Sequence, residues 1–490
     1  METATALLGL AALGTVFWAI SRHILSPRYP LPPGPPGKPF IGNLLDIPKG
    51  KNWLAYATWA ETYGEGCDIL SRSFFGQTII VLNSPQDVQE LFVTRATNYS
   101  ERMRLTMADL TGWRESTATI PPGQTFRAMR RFMAQLLGQS AIKNWQPIQE
   151  AEIDTFIRQI LTLPEDLLEK STRLTSSIIL KLVYGYSVTA DDDPLVKQAE
   201  NVLRIFHTIA APGWMVDMFP ILLHLPSWLP GMGFKRQAAE WRKLVEASRR
   251  NALDWTKGQI ASGNYVECFA ADLLADQDRM DDEPCFAMAL SDLYIAGSDT
   301  TSVSIASFLI LMALHPEVQL RAQREIDSVT HGGCLPGYAD RGTLPYVLAL
   351  IKEVHRWHPV GPMGIPHCAA AEDEYKGYTI PRGAIVFANV WSILHDPNKY
   401  PDPASFNPER YLVTSPSGVN GSTEINEDPT KYAFGFGTRQ CPGRNLAQST
   451  LFLTVVKILA TCTISDAVDV CGLPVTPETV EYLPGITRRV

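Results

Sequence analysis

The stretch FGFGTRQCPG, residues 434–443, sets one cysteine in a glycine-rich loop directly ahead of a helix-forming run, PGRNLAQSTLFLTVVKILAT. A thiolate persists near neutral pH only where positive charge or a metal favours it. Arg439, two residues before Cys441, and the positive end of the following helix both point that way, and metal ligation would complete the deprotonation. Gly435, Gly437 and Gly443 let the backbone pass close to a flat ligand, where a β-carbon would collide. An isolated cysteine is more often a small buried hydrophobe, so the loop alone leaves both readings open. A dinucleotide-binding reading fails, because Gln440 stands in the third glycine's place and no βαβ unit surrounds the loop. His355 and His358, three apart, lack the paired glutamate and third ligand of a zinc site. The chain's 8 cysteines show no CxxC and no dense spacing, so no disulfide framework or zinc knuckle is indicated and a reduced, cytosol-facing body is expected. A net charge of -8 argues against a nucleic-acid binder.

Phe434, Gly437, Arg439, Cys441 and Gly443 match the FxxGxRxCxG haem loop of the cytochrome P-450 superfamily. Other signatures follow in the family's order across nearly the whole chain: Glu353 and Arg356 in EVHR resemble ExxR, and FNPERY, residues 406–411, resembles the PERF segment. The resemblance implies a mainly α fold with small β-sheets, the cytochrome P-450 fold with a long central oxygen-binding helix and a haem-binding cysteine loop. It also implies haem b (iron protoporphyrin IX), with Cys441 as proximal iron ligand and thiolate donation favouring O–O cleavage. Glu353 and Arg356 face the same way on a helix, so they can pair and engage Arg410; breaking such a buried network costs about 3–5 kcal/mol, a structural role.

AGSDTT, residues 296–301, resembles the family's oxygen-binding groove. Small Ala296 and Gly297 leave room for a diatomic ligand, the Thr300 hydroxyl bonds a carbonyl one turn back, and Asp299 and Thr300 are expected to relay protons toward the iron. Asp292, two turns earlier, is read as a loop-tying acid and kept off the catalytic set. Haem propionates need cationic donors: Arg439, Arg130 in FRAMR (resembling WxxxR) and His367 in GIPH are the candidates. Phe126 stands where tryptophan is usual, and the ending EYLPGITRRV is shorter than similar proteins have.

Helical patterns must carry these residues: PQDVQELFV, FRAMRRFMAQLL, a run over residues 284–315, PEVQLRAQREIDSV and LPYVLALIKEVHRWH. Strands are fewer: QTIIVLNS, GYTIP and GAIVFANV. TSPSGVNGSTEINEDPT reads as an exposed loop. Ahead of the body, ATALLGLAALGTVFWAI is at the lower limit of length for a spanning helix, with Arg22, His23, Arg28 and Lys38 behind it; the alternative, a cleaved signal peptide, lacks its positive n-region. The expected organisation is an N-terminal anchor at 1–26, a proline-rich hinge at 27–39 and one haem-thiolate catalytic domain at 40–490. The broken apolar segment APGWMVDMFPILLHLPSWLPGMGF either covers the core or dips into the interface with Trp214 and Trp228.

The expected function is that of a monooxygenase inserting one oxygen atom of O2 into a small lipophilic substrate. Segments such as GIPH and YAFGFGTRQCPGRNLAQST look most like filamentous-fungal enzymes of secondary metabolism, which suggests a terpenoid or aromatic intermediate of a natural-product pathway. The resemblance implies electrons from NADPH through a separate cytochrome P-450 reductase, meeting Arg127, Arg131, Lys143 and Arg444, with cytochrome b5 as an optional second donor. It also implies a single-pass endoplasmic reticulum protein with a cytosolic body. The rivals are a reductase-independent haem-thiolate isomerase or dehydratase, and a non-catalytic membrane haem protein.

Overall fold

Proline and chain-turning residues fix where the helices begin and end. The computed structural model describes residues 29–465 except 40, 49, 65–67, 191, 212, 265, 277–281 and 413–425, and the backbone of 467–468 and 474–475. The expected anchor, most of the loop at 414–430 and the last fifteen residues lie outside the described residues.

In chain order the main elements are α1 (Asn52–Tyr63), the hairpin β1 (Ile69–Phe74) and β2 (Gln77–Leu82), α2 (Gln124–Leu137), α3 (Ile142–Thr162), α4 (Leu167–Tyr184), α5 (Pro194–Ala210) and α6 (Phe234–Ser262). Then come α7 (Glu283–Leu314), α8 (Pro316–Thr330), α9 (Pro345–Trp357), the strands β3 (His367–Cys368), β4 (Asp373–Tyr375), β5 (Tyr378–Ile380) and β6 (Ile385–Ala388), α10 (Arg444–Thr461), and β7 (Ala467–Val468) with β8 (Pro474–Val475). The mainly α fold with small β-sheets implied by the resemblance is the one adopted.

Pro316 and Pro345 each stand in the first helical turn, where a missing N–H costs nothing. Pro316 also stops α7, because the residue before a proline is driven out of the α region, and His315 sits at φ -128. The β1–β2 hairpin turns on Phe75 and Gly76, both at positive φ, the two-residue turn whose twist matches paired strands.

α7 runs through the centre, packed chiefly against α4 and also on α2, α5 and α10. It is apolar on every side and is, among the described residues, the one helix long and apolar enough to cross a membrane, yet 72% of its apolar window is buried inside the fold. It is therefore the core helix. Beside this core lies a mixed sheet in the order β1-β2-β6-β3: β2 runs parallel to β6, with Ile79 opposite Ile385, and β3 antiparallel, with His367 opposite Val386.

The described part of the proline-rich stretch lies on the body. Ser71 N–H donates to the Pro33 carbonyl at 2.8 Å and Thr379 N–H to Pro30 at 2.9 Å. The apolar segment after α5 folds as a short helix, Met215–Met218, and a turn, Pro220–His224. Its tryptophans part company. Trp214 packs edge-on against Trp241 and donates to the Thr208 carbonyl, whereas Trp228 is 79% exposed beside exposed Met215, Phe219, Ile221 and Leu225.

Candidate functional site

The cysteine loop hangs from α9. Glu353 and Arg356, three apart on that helix, are fully buried and paired through two bonds of 2.8 Å. The remaining Arg356 donors reach the carbonyls of Leu394, Pro403 and Ser405. Glu353 also accepts from the Asn407 backbone at 2.9 Å and lies 3.4 Å from Arg410 Nε. Every polar group of this buried pair is answered by the segment 394–410, so the pair fixes how that segment crosses α9. One residue before Arg356, His355 sets its ring edge-on to Phe434 with centroids 5.5 Å apart, and the Cys441 N–H closes the loop on the Phe434 carbonyl at 2.7 Å.

Cys441 is exposed, yet burial pushes its thiol pKa up. The residue is thus open to a probe while its thiol is crowded by protein atoms. The opposing, thiolate-favouring influences are the backbone N–H groups of Gly443 and Arg444 at the start of α10 and the charges of Arg130 and Arg444. Desolvation outweighs these influences, so the thiol stays protonated unless a bound metal favours the thiolate.

The loop glycines also have reasons the sequence hid. At Gly437, φ is +53 and a β-carbon would stand 2.3 Å from the Phe92 carbonyl, so this glycine clears protein backbone. At Gly443 a β-carbon would sit 3.9 Å from Cys441 Sγ, an ordinary contact distance. On α7, a β-carbon at Gly297 would meet Ile179 Cγ1 at 3.2 Å, so Gly297 serves the close approach of α4, and only Ala296 contributes to the groove by being small. Ala296 is exposed in the middle of this otherwise core helix.

Around that groove, hydroxyls take the helix carbonyls. Thr300 Oγ1 donates to Ala296 at 3.0 Å, Ser302 Oγ to Asp299 at 2.7 Å, and Thr175 Oγ1 crosses from α4 to the Ser298 carbonyl at 2.6 Å. Asp292 accepts the Thr117 N–H and hydroxyl at 2.6 and 2.7 Å, tying the 113–120 segment to α7.

Three arginines and a histidine gather on the same side. Arg439 donates to the carbonyls of Ser100, Thr117 and Ile120 and lies over the Phe126 ring at 4.1 Å, so the phenylalanine supports the guanidinium through its π face. Burial and then neighbouring Arg130 and Arg114 push its pKa down to about 10, against an opposing pull from Glu101. Arg102, which no motif had singled out, is buried, bonds the Ile365 and Pro366 carbonyls, and is pushed down to about 9 by burial and Arg439. It arrives there through a single bridge, Glu101 to Cys368, beside His367. Burial also lowers the pKa of Arg130. No ion pair to a described carboxylate engages Arg102, Arg130 or Arg439. Buried like charges so placed call for an anion, and a flat group with two carboxylates and an iron for Cys441 fits this donor set.

His367 holds Nδ1 2.7 Å from the Tyr99 carbonyl and stacks on Phe92 at 3.8 Å. Burial, then Arg102, drive its pKa well below the ordinary value. The imidazole is thus neutral, Nδ1–H donating to Tyr99, and Nε2 becomes a donor only when an adjacent anion favours a second proton.

The family model described as cytochrome P-450 matches residues 32–479. Cytochrome P-450 monooxygenase 208 of Postia placenta is 38% identical, over 96% of this chain and 90% of its own length. Cytochrome P-450 monooxygenase COX1 of Coprinopsis cinerea is 38% identical over 97% and 93%, and cytochrome P-450 monooxygenase claR of Ampulloclitocybe clavipes 38% over 95% and 86%. With the cysteine loop, the buried Glu353–Arg356 pair and the groove on α7 in their places, the chain belongs to the cytochrome P-450 family.

Proposed function

We propose that this chain is a membrane-anchored haem-thiolate monooxygenase that inserts one oxygen atom of O2 into a small lipophilic molecule, a terpenoid or aromatic intermediate of fungal natural-product biosynthesis. The observation that carries the reading is Cys441, exposed and flanked by Arg130, Arg444 and the first N–H groups of α10. Haem, when bound, supplies the iron at which O2 is activated.

The chain's own residues do the rest. Cys441 provides the thiolate, and Arg102, Arg130 and Arg439 neutralise the propionates. Thr300, held by its bond to Ala296, presents its hydroxyl toward the groove, and Asp299 renews its proton. Electrons come from NADPH through a separate flavoprotein reductase, which docks where Arg127, Arg131 and Lys143 are exposed beside partly exposed Arg444, with cytochrome b5 as an optional second donor. The exposed apolar loop around Trp228 suits contact with the endoplasmic reticulum membrane that the N-terminal anchor would hold. The relatives named as monooxygenases, all from fungi, support the activity class.

The test is the carbon monoxide difference spectrum of the reduced protein in microsomes. The red-shifted Soret band of a thiolate-ligated haem is expected in the wild type and is lost in Cys441→Ser; a variant that keeps the band overturns the ligand assignment. Substrate turnover is expected to require NADPH and reductase, and turnover without them would favour the isomerase reading.

A further inference from the structure

Arg72, on β1, is 8% exposed, and neither its Nε nor its Nη1 has a hydrogen-bond partner. Among the described residues no carboxylate forms an ion pair with it. Its surroundings are aromatic: the guanidinium lies 5.3 Å from the Tyr56 ring centre and 6.0 Å from that of Phe74. Burial lowers its pKa, and the opposing influences are the Tyr56 phenol, which also shares a hydrogen bond with the guanidinium, and Asp46.

Strand alternation puts Arg72 on the face of β1 that carries Leu70 and Phe74, and Arg72 pairs with Ile79 across the hairpin. Leu70 and Ile79 belong to a small apolar cluster with Tyr56, Val81 and Ile385, against which Met103, Met363 and Phe387 pack. The family resemblance implies that the stretches 104–123 and 360–367 line the substrate pocket; Met363 lies in the second and Met103 directly precedes the first. At the hairpin's tip Phe75 meets Phe219 of the exposed apolar loop, with ring centres 5.6 Å apart. Arg72 therefore stands between an apolar surface suited to lipid and, through Met363, the stretch 360–367 implied to line the pocket.

A buried guanidinium with idle donors is unfavourable until an anion meets it, and an apolar wall beside it selects an anion with a hydrocarbon body. The arginines at Arg102, Arg130 and Arg439 form a separate group, shared with His367 and the cysteine loop. We propose that Arg72 receives the carboxylate of the substrate and that the substrate class is the lipophilic carboxylic acids. This rests on the oxidation of a lipophilic molecule proposed above and names its polar end.

The experiment is calorimetric binding to the full-length, haem-loaded protein in neutral-lipid nanodiscs at pH 8. The probes are dodecanoate and abietate, each compared with its primary alcohol. At least one acid is expected to bind ten or more times tighter than its alcohol; Arg72→Met removes that preference, changes the alcohol's affinity less than twofold, and Arg72→Lys restores part of it. Equal binding of acid and alcohol by the wild type, or a preference that survives in Arg72→Met, overturns the proposal. If Arg72→Met does not fold, the wild-type comparison and Arg72→Lys decide. The carbon monoxide spectrum and NADPH-dependent turnover are read on the same preparation, so a failure of the monooxygenase reading shows there while the acid preference is scored independently.

Discussion

His355 shows how a residue near the site reports on pH without taking part in chemistry. Its Nε2 has no hydrogen-bond partner, and burial pushes its pKa down to about 4. His367 is lowered too, by burial and then Arg102. A depressed histidine keeps its full stabilising effect above the ordinary value near 6.5 and loses it as the pH falls toward the folded value, because the unfolded chain then binds the extra proton. Urea midpoints are therefore expected to drop between pH 6.5 and 4.5. In His355→Phe, which keeps the ring against Phe434, the drop is shallower by up to about 3 kcal/mol in all. Identical slopes for the two proteins would remove His355 as the cause.

At the scale of elements, α9 and the cysteine loop stand or fall on a few contacts. Arg356→Leu leaves the buried Glu353 charge with Arg410 as its one remaining cation, and a loss of about 3–5 kcal/mol is expected, read as a lowered thermal midpoint and reduced haem content. Gly437→Ala forces a side chain into a left-handed position against the Phe92 carbonyl. It is expected to reduce haem content, whereas Gly443→Ala, where a β-carbon finds ordinary contact distance, should retain more; the reverse order would contradict the assignment of the two glycines. Much of this was legible because it is local: prolines open α8 and α9, and the spacing of Glu353 and Arg356 alone puts them together on a helix. What escaped the sequence is made by contacts between distant parts of the chain. Phe92 as the reason for Gly437, Ile179 as the reason for Gly297, and Arg102 as a member of the cationic cluster each depend on a meeting that no local spacing announces.

For the whole molecule, attitude to the membrane is the property most open to measurement. Trp228 is 79% exposed on the apolar loop, while Trp214 is held against Trp241. In full-length protein reconstituted with brominated lipids, wild type should lose more fluorescence than Trp228→Phe, by the share that Trp228 contributes. Equal fractional quenching would put the loop in water.

The parallel pairing of β2 with β6 has a consequence for how the chain is made. The hairpin leaves the ribosome with one edge bare, and the strand that covers it follows roughly 300 residues later, on the order of 15–60 s at ordinary synthesis rates. Cys441 emerges later still. Throughout that interval the nascent chain carries an unpaired edge rich in isoleucine and valine, so holding chaperones and haem supply, more than any local step, would set the yield of mature protein.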